Sequence, residues 1–161
     1  MDSIKNLLTI TDGRISRKQW WTGTVVLIVA GLVLSILLMT LAGNNFGLMA
    51  WGNLIISLLL IYPAYCIGVK RRQDRGNNGT DIKILLGASV VVSLLQAFNI
   101  GVDMTDIGNG VMMPVPSMWF TVLGAAVAVF GIYMLVQLGF LRGTAGANSY
   151  GPDPHAGYAA A

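Results

Sequence analysis

Three short segments hold most of the residues that could do chemistry. Arg14 and Arg17 precede the first long apolar stretch. The run Arg71-Arg72-Gln73-Asp74-Arg75-Gly76 follows the second. Asn148, Tyr150, Gly151, Pro152 and Asp153 lie beyond the fourth. A guanidinium is a rigid fork of donors suited to carboxylates and phosphates. Two chemistries follow if the segments meet. Arginine and aspartate can pair and lock the three segments into a cap. Alternatively, unpaired guanidiniums can hold an anionic ligand or lipid headgroup. The candidate residues for either are Arg14, Arg17, Arg71, Asp74, Arg75, Gly76, Asn148, Tyr150 and Asp153.

Other chemistries find little support. His155 is the single histidine and stands in a proline-flanked tail with no cysteine or carboxylate cluster, so no metal site is expected. No catalytic residue is assigned, because no serine sits in a nucleophile elbow and no second histidine exists. No Gly-Lys-Ser/Thr follows the glycines, so no phosphate loop and no cofactor are expected. The lone Cys66 lies in an apolar run and excludes an intrachain disulfide.

The elements that must position these residues are membrane spans. Of the 161 residues, 55% are hydrophobic and 11% charged, and the mean hydropathy is +0.68. Soluble domains carry about 25% charged residues. Four apolar stretches stand out, at about residues 20–42, 51–69, 82–100 and 117–141. Each is long enough for a hydrocarbon core of roughly 30 Å. The first is too long for the 7–15-residue core of a signal peptide, so it reads as a retained span. The expected fold is all-α, a single membrane domain over residues 1–161 with four transmembrane helices.

All ten lysines and arginines fall before the first span, between the second and third, or after the fourth. The connections 43–50 and 101–116 hold none. By the positive-inside rule both termini are cytoplasmic. The net charge of +3 therefore favours anionic headgroups. Nucleic acid is not an expected partner, because the basic residues are split among juxtamembrane segments and carry no reading module.

Local signals refine the elements. Ile4, Leu7 and Leu8 have the spacing of a short interfacial helix. Ser16 reads as the N-cap of the first span and Thr80 or Asp81 as that of the third. Trp20, Trp21 and Trp51 mark interfaces. Pro63 should kink the second span. The connection 101–116 reads as a loop, too long for a tight hairpin. Gly124, Ala128 and Gly131 share a face of the fourth span, fit for packing inside the bundle or for a homodimer. Residues 142–161 read as an irregular tail, disordered from His155.

The spans hold no ionisable residue away from their edges, which argues against proton-coupled transport. They do hold Asn53, Ser57, Tyr62, Tyr65, Ser89, Ser93, Gln96, Asn99, Tyr133 and Gln137. Hydrogen bonds between helices account for these. A polar path for a neutral or weakly polar solute through a small oligomeric transporter or channel is the alternative.

The three polar segments also resemble a bacterial inner-membrane family, "domain of unknown function 805". Gly13-Arg14-Ile15-Ser16-Arg17-Lys18-Gln19-Trp20-Trp21 is similar to its "GR-x-x-R-x-x-[FY]-W" opening. Arg71 to Gly79 is similar to its central "R-x-H-D-x-G-x-S-G-W" loop. Gly143-Thr144, Gly146, Asn148 and Tyr150-Gly151-Pro152-Asp153-Pro154 resemble its "G-T-x-G-x-N-x-Y-G-P-D-P" ending. Gln73 stands where the family usually has histidine, Thr80 where it has tryptophan, and Gln19 where an aromatic is common. The resemblance implies a small four-helix membrane protein and supplies no activity. The expected role is a non-enzymatic accessory, scaffold or anionic-lipid-binding protein, with lipids, a membrane protein or further copies of itself as partners.

Overall fold

A computed structural model of the chain describes residues 4–106, 108 and 110–155. Its helices start and stop for local reasons. Helix α1 spans Ile4–Thr9 and α2 spans Arg17–Ala42. Ser16 caps α2 in a capping box: its hydroxyl accepts from Gln19 N, and the Gln19 side chain accepts from Ser16 N at 2.8 Å. Gln19, at a position where an aromatic is common, therefore has a backbone to satisfy.

Helix α3 spans Phe46–Gln73, is capped by Asn45, and continues through Pro63. It extends beyond the expected 51–69 at both ends. The basic run 70–73 is its last turn, where cations face the negative end of the helix dipole. Gly76 terminates the turn at φ +72°, with Asn77 N bonded to Arg72 O at 2.9 Å. Helix α4 spans Thr80–Ala97. Its N-cap is Gly79 in the left-handed region, so neither Thr80 nor Asp81 caps it. Asn78 Oδ1 accepts from Thr80 N instead, and Asp81 turns toward Arg72. At the far end Asn99 adopts φ +54°, and Ile100 N bonds to Leu95 O at 2.8 Å. That turn stops α4 short of the expected residue 100.

The connection 101–116 corrects the all-α expectation. Strands β1 (Val102–Asp106) and β2 (Met112–Pro116) pair antiparallel, with Val102 opposite Pro116 and Asp106 opposite Met112. Gly108 and Gly110 have positive φ in the connecting turn. Pro114 and Pro116 read as loop residues, but a two-stranded ribbon has only edge strands, where a missing N–H is tolerated.

Helix α5 spans Met118–Leu135 and passes into a π turn, Val136–Phe140. The helices pack in sequence, α2 on α3, α3 on α4 and α4 on α5, and the π turn returns against α2 and α3. The core gathers at the basic end, from Leu7, Ile15, Trp20, Ile67, Val69, Ile82, Met134 and Leu138. Helix α1 belongs to it: Leu7 packs against Ile67 beside Gly23, and Lys70 Nζ caps the Asn6 and Leu7 carbonyls at 3.0 and 2.8 Å.

Away from that end the helix flanks are apolar and exposed, as at Ile28, Leu32, Ile36 and Leu59. Among the described residues four helices are long and apolar enough to cross a membrane: Arg17–Ala42, Phe46–Gln73, Thr80–Ala97 and Met118–Phe140. The Gly124–Ala128–Gly131 face does not serve close packing inside this bundle. Among the described residues no neighbouring heavy atom comes within 4 Å of where a Cβ would sit on Gly124 or Gly131, and Ala128 is exposed. Of the tail expected to be disordered from His155, residues 156–161 lie outside the described residues.

Candidate functional site: the arginine cap

Asp74 is the centre of the polar end. It follows the last turn of α3, and its side chain is almost sealed from solvent between two guanidiniums. Arg14 approaches one oxygen through Nε at 3.1 Å and Nη2 at 3.0 Å, and Arg71 Nη1 takes the other. Residue exposures are 4% for Asp74, 9% for Arg14 and 1% for Arg71. Ion pairs this dry persist only when the remaining donors are also satisfied.

They are satisfied by backbone carbonyls. Arg14 gives Nη2 to Thr144 O at 2.7 Å, and Nη1 to Gly146 O at 2.6 Å and Gly151 O at 3.2 Å. All five of its N–H groups thus have acceptors. Arg71 gives Nε to Leu138 O at 2.8 Å, Nη1 to Ile15 O at 3.3 Å and Nη2 to Leu141 O at 2.6 Å. Those last acceptors belong to a longer pattern. Five consecutive carbonyls, from 137 to 141, accept from Arg75, Arg71, Trp21, Arg17 and Arg71 in turn. A helix C-terminus leaves four carbonyls without intrahelical partners and concentrates partial negative charge there. The arginines and Trp21 of α2 and α3 clamp that end of the fourth span.

The tail is folded over this clamp. Thr144 donates to Asp74 O through both N–H and hydroxyl, at 2.8 and 2.9 Å. Asn148 Nδ2 donates to Gln73 O and to Thr144 Oγ1, each at 2.9 Å. The Gln73 amide, with its nitrogen toward the 11–13 segment, donates to Gly13 O at 2.7 Å and Thr11 O at 3.2 Å. Glutamine thus joins α3 to the N-terminal segment at a position where histidine is usual. Gly143 has no room for a side chain, since a Cβ there would overlap the Asp74 carboxylate.

A second knot flanks the first. Arg72 pairs with Asp81 at 2.5 Å and reaches Gln137 Oε1 at 3.2 Å, which Arg75 also contacts. Burial first, then the neighbouring Arg72 charge, lowers the Arg75 pKa from its ordinary value.

The sequence candidates separate into groups. Arg14, Arg71 and Asp74 form the central knot, and Arg17, Arg75 and Asn148 join it through backbone or glutamine. Gly76 is present for its left-handed backbone. Tyr150 is half-buried beside Arg14's acceptor Gly151, and its N–H bonds Asn148 Oδ1 at 2.9 Å. Asp153 joins no ion pair among the described residues; it accepts from Gly146 N and His155 N at 3.0 and 2.9 Å. Trp21, Arg72, Asp81, Gln137 and Thr144 are equally integral and were not singled out. Gln137 carried the clearest signal, a polar residue near the end of an apolar run.

Five of the residues that motivate a solute path have local uses, and the three serines bond within their own helices rather than between helices. Ser57, Ser89 and Ser93 donate to carbonyls of their own helices, Asn99 supplies the turn after α4, and Gln137 is held by arginines.

Four membrane-length apolar helices, packed tightly at one polar end and apolar along their flanks, define the class: a multi-pass membrane protein. The chain belongs to the family described as "Protein of unknown function (DUF805)", whose model matches residues 8–152. It is 28% identical over 152 residues to "Uncharacterized protein YiiR" of Escherichia coli strain K12 and to its counterpart in strain O157:H7, covering 94% of this chain and 90% of theirs. No solved structure matches the chain.

Proposed function

We propose that the protein is a non-enzymatic accessory or scaffold protein of the bacterial inner membrane. Both termini are cytoplasmic, and the arginine cap is a rigid surface at the headgroup layer. It engages anionic lipid, a membrane protein or further copies of the chain. The observation that carries this reading is the saturation of Arg14 and Asp74. A catalytic dyad needs a group free to exchange protons or attack; these side chains are fully engaged in holding the backbone. The charge asymmetry supports the orientation.

Reporter fusions test the orientation. A cytoplasmic reporter after the tail should be active, and one in the 43–45 turn inactive; the reverse pattern refutes it. Purification of the full chain in mild detergent, with protein and lipid analysis of what is retained, tests the role. Recovery of a bare monomer free of anionic lipid would count against a scaffold.

A further inference from the structure

The cap leaves a pocket of about 270 Å³ beside the knot, between the start of α2 and the tail. Arg17, Arg71, Arg142, Thr144, Asp153 and His155 are among its lining residues. We infer that this pocket binds a phosphate group, through Arg17 and Arg142. The inference rests on the reading of the cap as a headgroup-level surface and names the chemistry that surface recognises.

The argument is one of charge left over. Arg17, Arg71 and Arg142 line the pocket with Asp74 and Asp153, so one positive charge is unbalanced at the lining, and Arg14, paired to Asp74 behind it, adds a second. Neither carboxylate neutralises the outer pair. Asp74 is occupied by Arg14 and Arg71, and Asp153 accepts from two backbone N–H groups. Arg17 makes a single 3.3 Å bond to Phe140 O, and Arg142 makes none among the described residues. The Arg17 and Arg71 charges also repel one another. A phosphate monoester carries about −1.5 to −2 at neutral pH and offers three acceptor oxygens, which matches the surplus. Guanidinium forks favour this geometry.

Size and place narrow the ligand. Sites for drug-sized molecules occupy about 300–1,000 Å³, so this pocket suits a phosphoryl group and its immediate ester rather than a nucleotide. Arg17 lies in the first turn of a membrane-length helix and Arg142 just past the end of another, where the headgroup-surface reading puts lipid phosphates. Free phosphate has the same chemistry, and experiment separates the two sources.

The full-length protein and the Arg17→Gln/Arg142→Gln double variant are placed in nanodiscs of phosphatidylcholine with or without phosphatidic acid. Bound lipid is counted by native mass spectrometry, and inorganic phosphate is titrated in detergent by thermal shift. Wild type should enrich phosphatidic acid, and the double variant should bind it roughly tenfold more weakly or worse. Both proteins should melt alike in phosphatidylcholine alone, because the two side chains make one weak bond between them. Selective phosphatidic acid binding assigns a headgroup site; phosphate binding without lipid selectivity assigns a free anion; each supports the phosphate site. Absence of both in wild type overturns it, as does equal binding by the variant. A retained protein partner with no phosphate binding overturns the site and leaves the scaffold reading intact.

Discussion

Replacing Asp74 by asparagine should release the tail from the bundle. The change is nearly isosteric, so packing volume is kept and the charge alone is lost. Arg14 and Arg71, at 9% and 1% exposure, would then share no counter-ion. One of them would face an amide N–H in place of a carboxylate oxygen. Removing one partner of a buried pair costs about 3–5 kcal/mol. If that cost falls on the cap alone, the open population of the tail rises roughly 10²–10⁴-fold, at about 1.4 kcal/mol per decade. Thr144 reports it, since its N–H donates to Asp74 O at 2.8 Å.

Hydrogen exchange at Thr144 and tryptic cleavage after Arg142 should both accelerate by that factor. A global loss would lower the melting point by roughly 6–20 °C, from about 2–4 °C per kcal/mol at this size. Arg17→Gln is the control, as an exposed group worth about 0–1 kcal/mol. Combining Arg14→Met with Asp74→Asn should cost less than the sum of the two, because the first removes a charge that the second strands. Unchanged Thr144 exchange in Asp74→Asn, or strict additivity in the double variant, would refute the knot as the element that holds the tail.

Gly143→Ala should match Asp74→Asn in tail release, because its methyl group would displace the same carboxylate; wild-type tryptic resistance would show that the segment shifts freely. Asp153 gives a pH signature. N–H donation from His155 and then Gly146, with smaller help from Arg14 and His155 charge, holds its pKa below the ordinary carboxylate value of about 3.9. A depressed folded pKa stabilises the docked tail above that value and loses the contribution as pH falls through the lowered one. Tail fluorescence should therefore report loosening below about pH 4, and Asp153→Asn should remove that acid step; loosening on raising the pH instead would contradict the assignment.

Much of the helical frame was legible because it depends on local signals. Apolar run length located four helices, and Ser16 announced the N-cap of the first. The errors came where long-range contacts or edge geometry decide. Lys70–Gln73 looks like loop by polarity, yet it is helix because its side chains find acceptors on α1, α4 and the fourth span. The ribbon 102–116 was hidden by two prolines that an edge strand accepts. The small-residue face of α5 fitted packing inside the bundle or a homodimer; within the chain a helix–helix approach depends on which helix arrives, and no described one comes near Gly124 or Gly131. For the site, residue types showed that Arg and Asp could pair if the three segments met, or leave guanidiniums free for an anion. Nothing in their spacing showed that most acceptors are carbonyls of the fourth span and the tail.

That choice of acceptor explains why the cap is rich in arginine and poor in carboxylate. Helix α5 is held along its length mainly by α4, and its end must be fastened to α2 and α3. Apolar packing is a weak fastener in lipid, where an exposed leucine is already in an apolar solvent. A helix C-terminus, by contrast, carries fixed partial negative charge and unpaired acceptors wherever it ends. Arginine can reach several such carbonyls from one stem, as Arg14 and Arg71 do, and lysine lacks the planar fork to do so. One buried aspartate then offsets half of the charge at the centre, and the carbonyl dipoles take up the remainder. Cations beyond that need, Arg17 and Arg142, have no partner of comparable strength among the described residues, and both line the open pocket. The same logic that assigns Arg14 and Arg71 to architecture therefore leaves Arg17 and Arg142 for recognition.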